Sequence, residues 1–488
     1  MDIGVGSRRS KPRLRRWTAF GCFCTTLFAL PVTADERDPF LLHDDNGLTV
    51  RAHLQAGLNL VGEQDLFWSL SDIFAPTARY NPDKIWLEGY LKPGLSVRQL
   101  LNDHTSLYGK VSGVWSGTIA KDAYDRGDTG RVTLEEAFAG ITIGAGTPAS
   151  LDLSAGAREL KLGTGMLFAN GGSSGFERGA LKFGPRKAWE LTGIATLMLG
   201  GLSVKGFYLD PNEVPSNDAK TKLAGVDLRY DDPARSFLGL TFATVPESNS
   251  AYPQAAPGGI GPPVVTTGAR EGLHLVNAYG RTGQLQGGWA NWFFSADFAY
   301  QWNDRINMEA IGGRAQVAYT FGQAMWTPRL MYTFQSFSGD DPATGGQERF
   351  DPLFFEGSPS SWATGSKSAM TFINSNVVAH QVELSVKPTR QDTFTLRYAH
   401  IRANELLSPV QFGQATRFQI AGSSNIVTGV TSPHLADDVF LEWSRIINRN
   451  TYFTGGVSAS FPGKGLELAA GRSLPVWLGA FANVVINY

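Results

Sequence analysis

The most regular feature of this chain is an alternation of apolar and polar residues at every second position. Over residues 48–60 one face carries Leu48, Val50, Ala52, Leu54, Ala56, Leu58 and Leu60. The other carries Thr49, Arg51, His53, Gln55, Gly57 and Asn59. Successive strand side chains point to opposite sides, so the segment is greasy on one side and wet on the other. A half-buried strand of a soluble sheet usually runs about five or six residues. A strand tilted across a bilayer needs about 9–11. The pattern recurs over 86–98, 151–158, 292–302 and 378–387, and no long segment repeats at helical spacing. Backbone polar groups in lipid must be satisfied internally, which strands achieve only in a closed cylinder. The predicted fold is therefore all-β: a transmembrane antiparallel β-barrel of about 18 strands, with short periplasmic turns and long extracellular loops.

The segments between the alternating stretches test this expectation. If 48–60 runs outward, connections should alternate long and short. Long or longer ones are read at 61–83, 118–131, 246–271, 338–375, 403–436 and 461–475. Short ones are read at 100–104, 144–150, 388–392 and 447–450. The exception is 184–201, which reads as a connection, a short plug helix or a further strand pair; the first gives about 18 strands and the last about 20. The chain ends Leu478-Gly479-Ala480-Phe481-Ala482-Asn483-Val484-Val485-Ile486-Asn487-Tyr488, an amphipathic strand closing on an aromatic residue, like the C-terminal signal of bacterial outer-membrane barrels. Trp86, Trp302, Trp326 and Trp477 suit interfacial girdles.

Composition adds the compartment. Residues 1–34 read as a secretory signal peptide: six basic residues from Arg8 to Arg16, an apolar stretch from Trp17 to Leu30 too short to span, and Val32-Thr33-Ala34 before Asp35. Both cysteines, Cys22 and Cys24, lie within it, so residues 35–488 offer no disulfide framework, Cys-ligated zinc or thiol nucleophile. Export and a barrel together place 35–488 in the bacterial outer membrane. Without the leader the formal charge is −6, which argues against nucleic-acid binding.

Enzyme chemistry finds no foothold. No Gly-x-Ser-x-Gly elbow appears, and no two of the seven histidines have His-x-x-x-His spacing. No cofactor or metal is expected. Asp340-Asp341 reads as a solvated loop in preference to a Ca²⁺ site. The informative charges are those on the polar strand faces. Arg51, Lys92, Arg98, Lys110, Arg158, Lys205, Arg229, Arg314, Arg329, Lys387 and Arg397 are expected in the lumen, against Glu88, Glu136, Asp152, Asp227, Asp297, Glu383 and Glu442. A basic bore surrounded by low-dielectric walls draws anions in. The alternative is that these charges pair with each other and merely pack the lumen, Glu136 with Arg158 for example.

Several motifs resemble the alginate export family of outer-membrane proteins. They are Pro328-Arg329-Leu330, Ser338-Gly339-Asp340-Asp341, Phe350-Asp351-Pro352-Leu353-Phe354, then Asn374 and Asn376, and Lys387-Pro388. Leu134-Glu135-Glu136-Ala137-Phe138, Gly156-Ala157-Arg158-Glu159-Leu160 and Phe176-Glu177-Arg178-Gly179 look like further family strands. Glu135 stands where the family usually has Arg, and Ala157 where it has the Arg of Gly-Arg-Gln, with Arg158 one position later. The resemblance implies an 18-stranded outer-membrane channel and leaves the solute open, uronate-type oligo- or polysaccharide being one candidate. The expected function is passive diffusion of anionic or polar solutes past basic rungs, with loop 338–375 as constriction or lid. The rival readings are a closed or plugged structural or adhesive barrel and, much less favoured, an outer-membrane enzyme. The implied partners are membrane lipid and lipopolysaccharide, the outer-membrane assembly machinery and the small or polymeric anionic solute.

Overall fold

The computed structural model describes residues 38–74, 79–357, 362–365, 372–412 and 426–488. The leader assigned to 1–34 lies outside the described residues. From Phe40 onward, eighteen antiparallel strands close into one barrel. They are β1 (Leu48–Gln64), β2 (Lys84–Asn102), β3 (Thr105–Lys121), β4 (Gly127–Ile143), β5 (Ala149–Glu159) and β6 (Ala188–Leu199). Next come β7 (Leu202–Asp210), β8 (Lys222–Asp231), β9 (Phe237–Glu247), β10 (His274–Arg281), β11 (Trp292–Asn303) and β12 (Met308–Thr320). The last are β13 (Arg329–Phe337), β14 (Val377–Val386), β15 (Asp392–Ala403), β16 (His434–Asn448), β17 (Thr451–Pro462) and β18 (Trp477–Asn487).

Closure is made by the two ends of the chain. Strand β18 pairs with β1, Leu58 opposite Val484 and Gln55 opposite Asn487, which closes the eighteen wall strands on themselves; the short strand Leu41–Asp45 adds to the near end of β1. Tyr488 completes the seam: it exchanges backbone hydrogen bonds with Leu54 at 3.0 and 2.8 Å and stacks on Phe40 at 4.8 Å.

The period-two pattern maps onto the two sides of the wall. Leu58, Leu95, Val111, Leu228, Leu240 and Phe298 are exposed on the outside, whereas Asn59, Glu88, Asp227, Asp297 and Gln301 are buried inside. A belt of that extent suits hydrocarbon, and with every wall strand paired the protein is a membrane-spanning barrel of the outer-membrane type.

The connections keep the expected parity. One end has 103–104, 144–148, 200–201, 232–236, 282–291, 321–328, 387–391 and 449–450; the other has 65–83, 160–187, 211–221, 248–273, 338–376, 404–433 and 463–476 among its loops. Four expectations are corrected. The connection read at 118–131 shrinks to 122–126, because β3 and β4 stay paired to Lys121 opposite Gly127. The segment 184–201 is neither plug helix nor strand pair: it holds one wall strand, β6, followed by the Gly200-Gly201 turn. Trp86 and Trp477 are buried inside the barrel, where Trp477 donates to Glu63 Oε2 at 2.8 Å, so they form no lipid girdle. Asp340 is buried, its carboxylate accepting the N–H groups of Ala255 and Glu348 at 2.7 Å each, so it is no solvated loop residue.

One irregularity alters the lumen. Ser112 pairs with Glu136 and Gly113 with Leu134, leaving Glu135 as an extra, bulged residue. A bulge resets the alternation of its strand. Leu134 points out, and Glu135 and Glu136 both end up buried inside.

Candidate functional site: a looped lumen with a cationic wall

Two long loops fold inward and meet. Loop 160–187 and loop 338–376 join through a parallel bridge of Phe168 with Phe354, the N–H of Ala169 donating to Phe354 O at 2.9 Å and that of Phe354 to Leu167 O at 3.0 Å. At one end Thr164 Oγ1 of the first loop donates to Asp297 of β11 at 2.8 Å. At the other, Lys182 and Phe183 lie against β1 and β2. The loop therefore spans the bore. Sequence reading gave the lid to 338–375 alone; the glycines of loop 160–187, Gly163, Gly165, Gly171, Gly172, Gly175, Gly179 and Gly184 followed by Pro185, are the signal available there and read only as strand or turn residues.

Wall carboxylates hold this loop. Glu88 accepts the N–H of Phe183 at 2.7 Å and of Lys182 at 3.2 Å, with Asn59 and Trp86 as further donors. Glu63 accepts Lys182 Nζ at 3.3 Å. The bulged Glu135 accepts the N–H groups of Lys187 and Ala188 at 2.8 and 3.0 Å and pairs with Lys92 at 3.4 Å. Charge-assisted bonds of this kind are worth roughly twice neutral ones. Close packing accompanies them: a Cβ at Gly57 would sit 2.5 Å from the Tyr90 ring and 2.9 Å from that of Phe183, so only glycine lets the loop seat there.

Loop arginines finish the attachment. Arg186, fully buried, donates to Thr133 Oγ1, Ser116 Oγ and the carbonyls of Val114 and Arg131. Burial pushes its guanidinium down to about 10, which leaves it charged at neutral pH. Arg178 donates to Ser173 O and to Asn212 and Glu213. The far loop is tied similarly, Arg314 of β12 lying 3.6 Å over the Trp362 ring, whose Nε1 donates to Thr164 O at 2.9 Å.

The outer end is packed by apolar side chains. Trp68 of loop 65–83 meets Trp477 edge-on at 5.3 Å and Phe412 at 5.6 Å. On the turn side of loop 160–187 a cavity of about 550 Å³ opens, lined by Lys92, Lys110, Lys187, His53, Glu159 and Glu442 with Ser112, Thr454 and Asn483 among others.

All eighteen residues expected in the lumen fall on the inward parity of their strands or strand ends, in varied settings. Lys92 pairs with Glu159 at 2.5 Å, Lys110 with Glu136 at 2.6 Å, Arg229 with Asp231 at 2.6 Å and Arg397 with Glu383 at 2.7 Å. Glu88 is an anchor for the loop and so no rung of a pathway. Arg51 stands on β1 opposite Ser96; Arg98 is exposed at the mouth near the turns, and Lys387 lies just past β14 in the turn. The pair suggested for Glu136 and Arg158 is not formed. Glu136 takes Lys110 and Ser112, while Arg158 bonds Ser154 Oγ at 2.5 Å and Tyr108 at 3.4 Å, lying 4.7 Å over the Phe138 ring.

That last arrangement repeats. Arg229 and Arg281 lie 4.0 and 4.8 Å over the Phe237 ring, and Arg329 lies 5.0 Å over Phe293. Lys205 is within electrostatic reach of Arg158 and Arg229. A cationic band thus descends the inner wall from mid-height on β5, through β7 and β8, to the turn end of β10 and β13. Stacking on a ring leaves the edge of a guanidinium able to bond sideways; at Arg229 that edge is already taken by Asp231, through Nε at 2.8 Å and Nη2 at 2.6 Å. Two carboxylates near the band are turned to hydroxyls, Asp152 accepting from Tyr108 and Thr142 and Asp227 from Thr241 and Tyr279, whereas Asp231 pairs with Arg229 within it. Arg281 and the aromatic partners were missed in the sequence because alternation reports a face and not a cross-strand neighbour.

No family model matches the chain, and no curated protein matches it in sequence. Among solved structures it is similar to Pseudomonas aeruginosa OccK5 (OpdH), with TM-score 0.49 and 8% identity over 90% of this chain and 98% of that one. It is also similar to P. aeruginosa OccK2 (OpdF) in complex with glucuronate, with TM-score 0.48 and 11% identity over 90% and 96%. A third is a loop-deletion form of OmpT, an outer membrane protein of Vibrio cholerae, with TM-score 0.39 and 10% identity over 91% and 100%.

Proposed function

We propose that the protein is a passive channel of the bacterial outer membrane for anionic or polar solutes, with uronate-type oligosaccharides as one candidate class. The observation that carries this reading is the band of Arg158, Lys205, Arg229, Arg281 and Arg329 along one wall, its arginines laid on aromatic rings. Forked guanidinium groups suit carboxylates, and the rings between them offer sugar faces an apolar surface. Three wall carboxylates that would oppose an anion, Glu63, Glu88 and Glu135, are taken up in holding loop 160–187.

The apolar contacts of Trp68, Phe412 and Trp477 at the outer end favour a second reading, a barrel whose loops close it at rest. Liposome swelling distinguishes the two: glucuronate entering faster than a neutral sugar of equal size supports the open anion channel, and no swelling supports the closed barrel. In planar bilayers the reversal potential should show anion preference that falls on Arg158→Ala. Cation preference unchanged by that substitution would overturn the proposal.

A further inference from the structure

On the outer surface, away from the lumen, His400, His434 and Asp437 bring three ligand atoms to within 4.8 Å of one another. His400 Nδ1 is 2.8 Å from Asp437 Oδ1, and His434 Nε2 is 2.8 Å from Asp437 Oδ2. The two imidazoles stack at 4.9 Å, and all three side chains are about one-third exposed. His400 and Asp437 face each other across the β15–β16 seam.

His434 joins them through a second bulge. Residues 434 and 437 differ by an odd number, so a regular strand would send them to opposite faces. The register instead runs Ile401 with Ala436 and Arg402 with His434, leaving Leu435 as the extra residue. Leu435 and Ala436 are both fully buried inside, and His434 is re-aimed to the outside beside Asp437. Bulges are found where a strand re-aims one side chain. The group sits just above aromatic residues of the outer belt: Tyr398 Oη donates to Asp437 Oδ1 at 2.7 Å, and one strand on, Tyr332 shares a 2.7 Å hydrogen bond with His380 Nδ1.

We propose that His400 Nδ1, His434 Nε2 and an Asp437 oxygen form a binding site for a first-row divalent transition metal at the outer, headgroup-level surface of the barrel. Two imidazoles and one carboxylate are the donor set that zinc and its neighbours take. Bond lengths near 2.0–2.1 Å imply ligand separations of about 3.3 Å, which side-chain rotation alone can reach from the present spacing. Each ring then carries its proton on the nitrogen remote from the ion, so binding needs no redox partner. Tyr398 supplies the outer hydrogen bond that orients the carboxylate. Because His434 ends loop 404–433, the ion would pin that loop's return to β15.

The test uses the full chain in detergent micelles, without a polyhistidine tag or chelator, and Co²⁺ as probe. Equilibrium dialysis and visible absorption should show one equivalent with ligand-field bands. His400→Gln or His434→Gln should weaken it at least about tenfold, the double substitution should abolish it, and His380→Gln should leave it intact. Heat-modifiable migration and the β-type circular dichroism of each variant verify that the barrel remains folded. Co²⁺ binding by the folded double variant equal to the unsubstituted protein, or no bound equivalent in the unsubstituted protein, would overturn the site.

Discussion

Arg270 and Asp351 form a forked ion pair wholly out of solvent, Arg270 Nε to Asp351 Oδ2 at 2.5 Å and Nη2 to Oδ1 at 2.8 Å. The pair joins loop 248–273 to loop 338–376, and Asp351 continues to the wall, its N–H donating to Gln301 Oε1 at 2.9 Å. Removing one partner of such a pair strands a buried charge, at a cost of about 3–5 kcal/mol. Arg270→Met should therefore loosen loop 338–376 while the barrel stays intact. Limited proteolysis within that loop should speed up strongly. The double variant Arg270→Met, Asp351→Leu should recover most of the protection, since a well-packed apolar pair can replace a buried ionic one.

Glu88 and Glu135 act on the other inward loop. Glu88→Ala removes acceptors for the N–H groups of Lys182 and Phe183, and Glu135→Ala for those of Lys187 and Ala188. Hydrogen bonds to charged groups are worth about 1.5–3 kcal/mol each. Either substitution should free part of loop 160–187, and single-channel recordings should show larger, noisier currents. Unchanged currents in both variants would mean that the loop does not limit the bore.

Acid should tighten the loop end. Burial pushes both Asp122 and Asp340 up to about 6. With the folded value above the ordinary carboxylate value near 3.9, the folded state binds more protons between about pH 4 and 6, and stability falls as pH rises through that window. The stabilisation is fully present below it and absent above. Protease resistance of loops 338–376 and 122–126 should thus be higher at pH 5 than at pH 7.5. Asp340→Asn should flatten the response of loop 338–376.

The stacked arginines should dominate charge selectivity. Arg229→Ala with Arg281→Ala removes two cations from one ring, and the reversal potential in a KCl gradient should shift clearly toward zero. Phe237→Leu keeps both charges and loses only their seat on a buried ring, a cation–π contribution of about 0.5–2 kcal/mol. Its shift should be smaller. A Phe237→Leu effect as large as the double arginine variant would mean that orientation outweighs charge.

Much of the wall was readable in the sequence because alternation is a local property. Leu58 outside and Asn59 inside follow from neighbouring positions alone, and the long-short order of connections follows from where alternation stops. The site was legible only in outline. Arg158 lies on the inner face that the alternation assigns it, yet Glu136 on the neighbouring strand belongs to Lys110. Glu135 was missed because a bulge breaks the parity on which the face assignment rests, and His434 reached the outer surface for the same reason.

The sequence by itself determined a closed, lipid-facing β-barrel with a polar bore, since period-two side chains on strands of this length have no other stable arrangement in a membrane. Only the tertiary structure decided which charges stay available to a solute. That depends on strand register, on irregularities such as the Glu135 bulge, and on loops from distant parts of the chain that settle on particular carboxylates. Hydrogen bonds and ion pairs act over a few ångströms in space, whatever the separation along the chain.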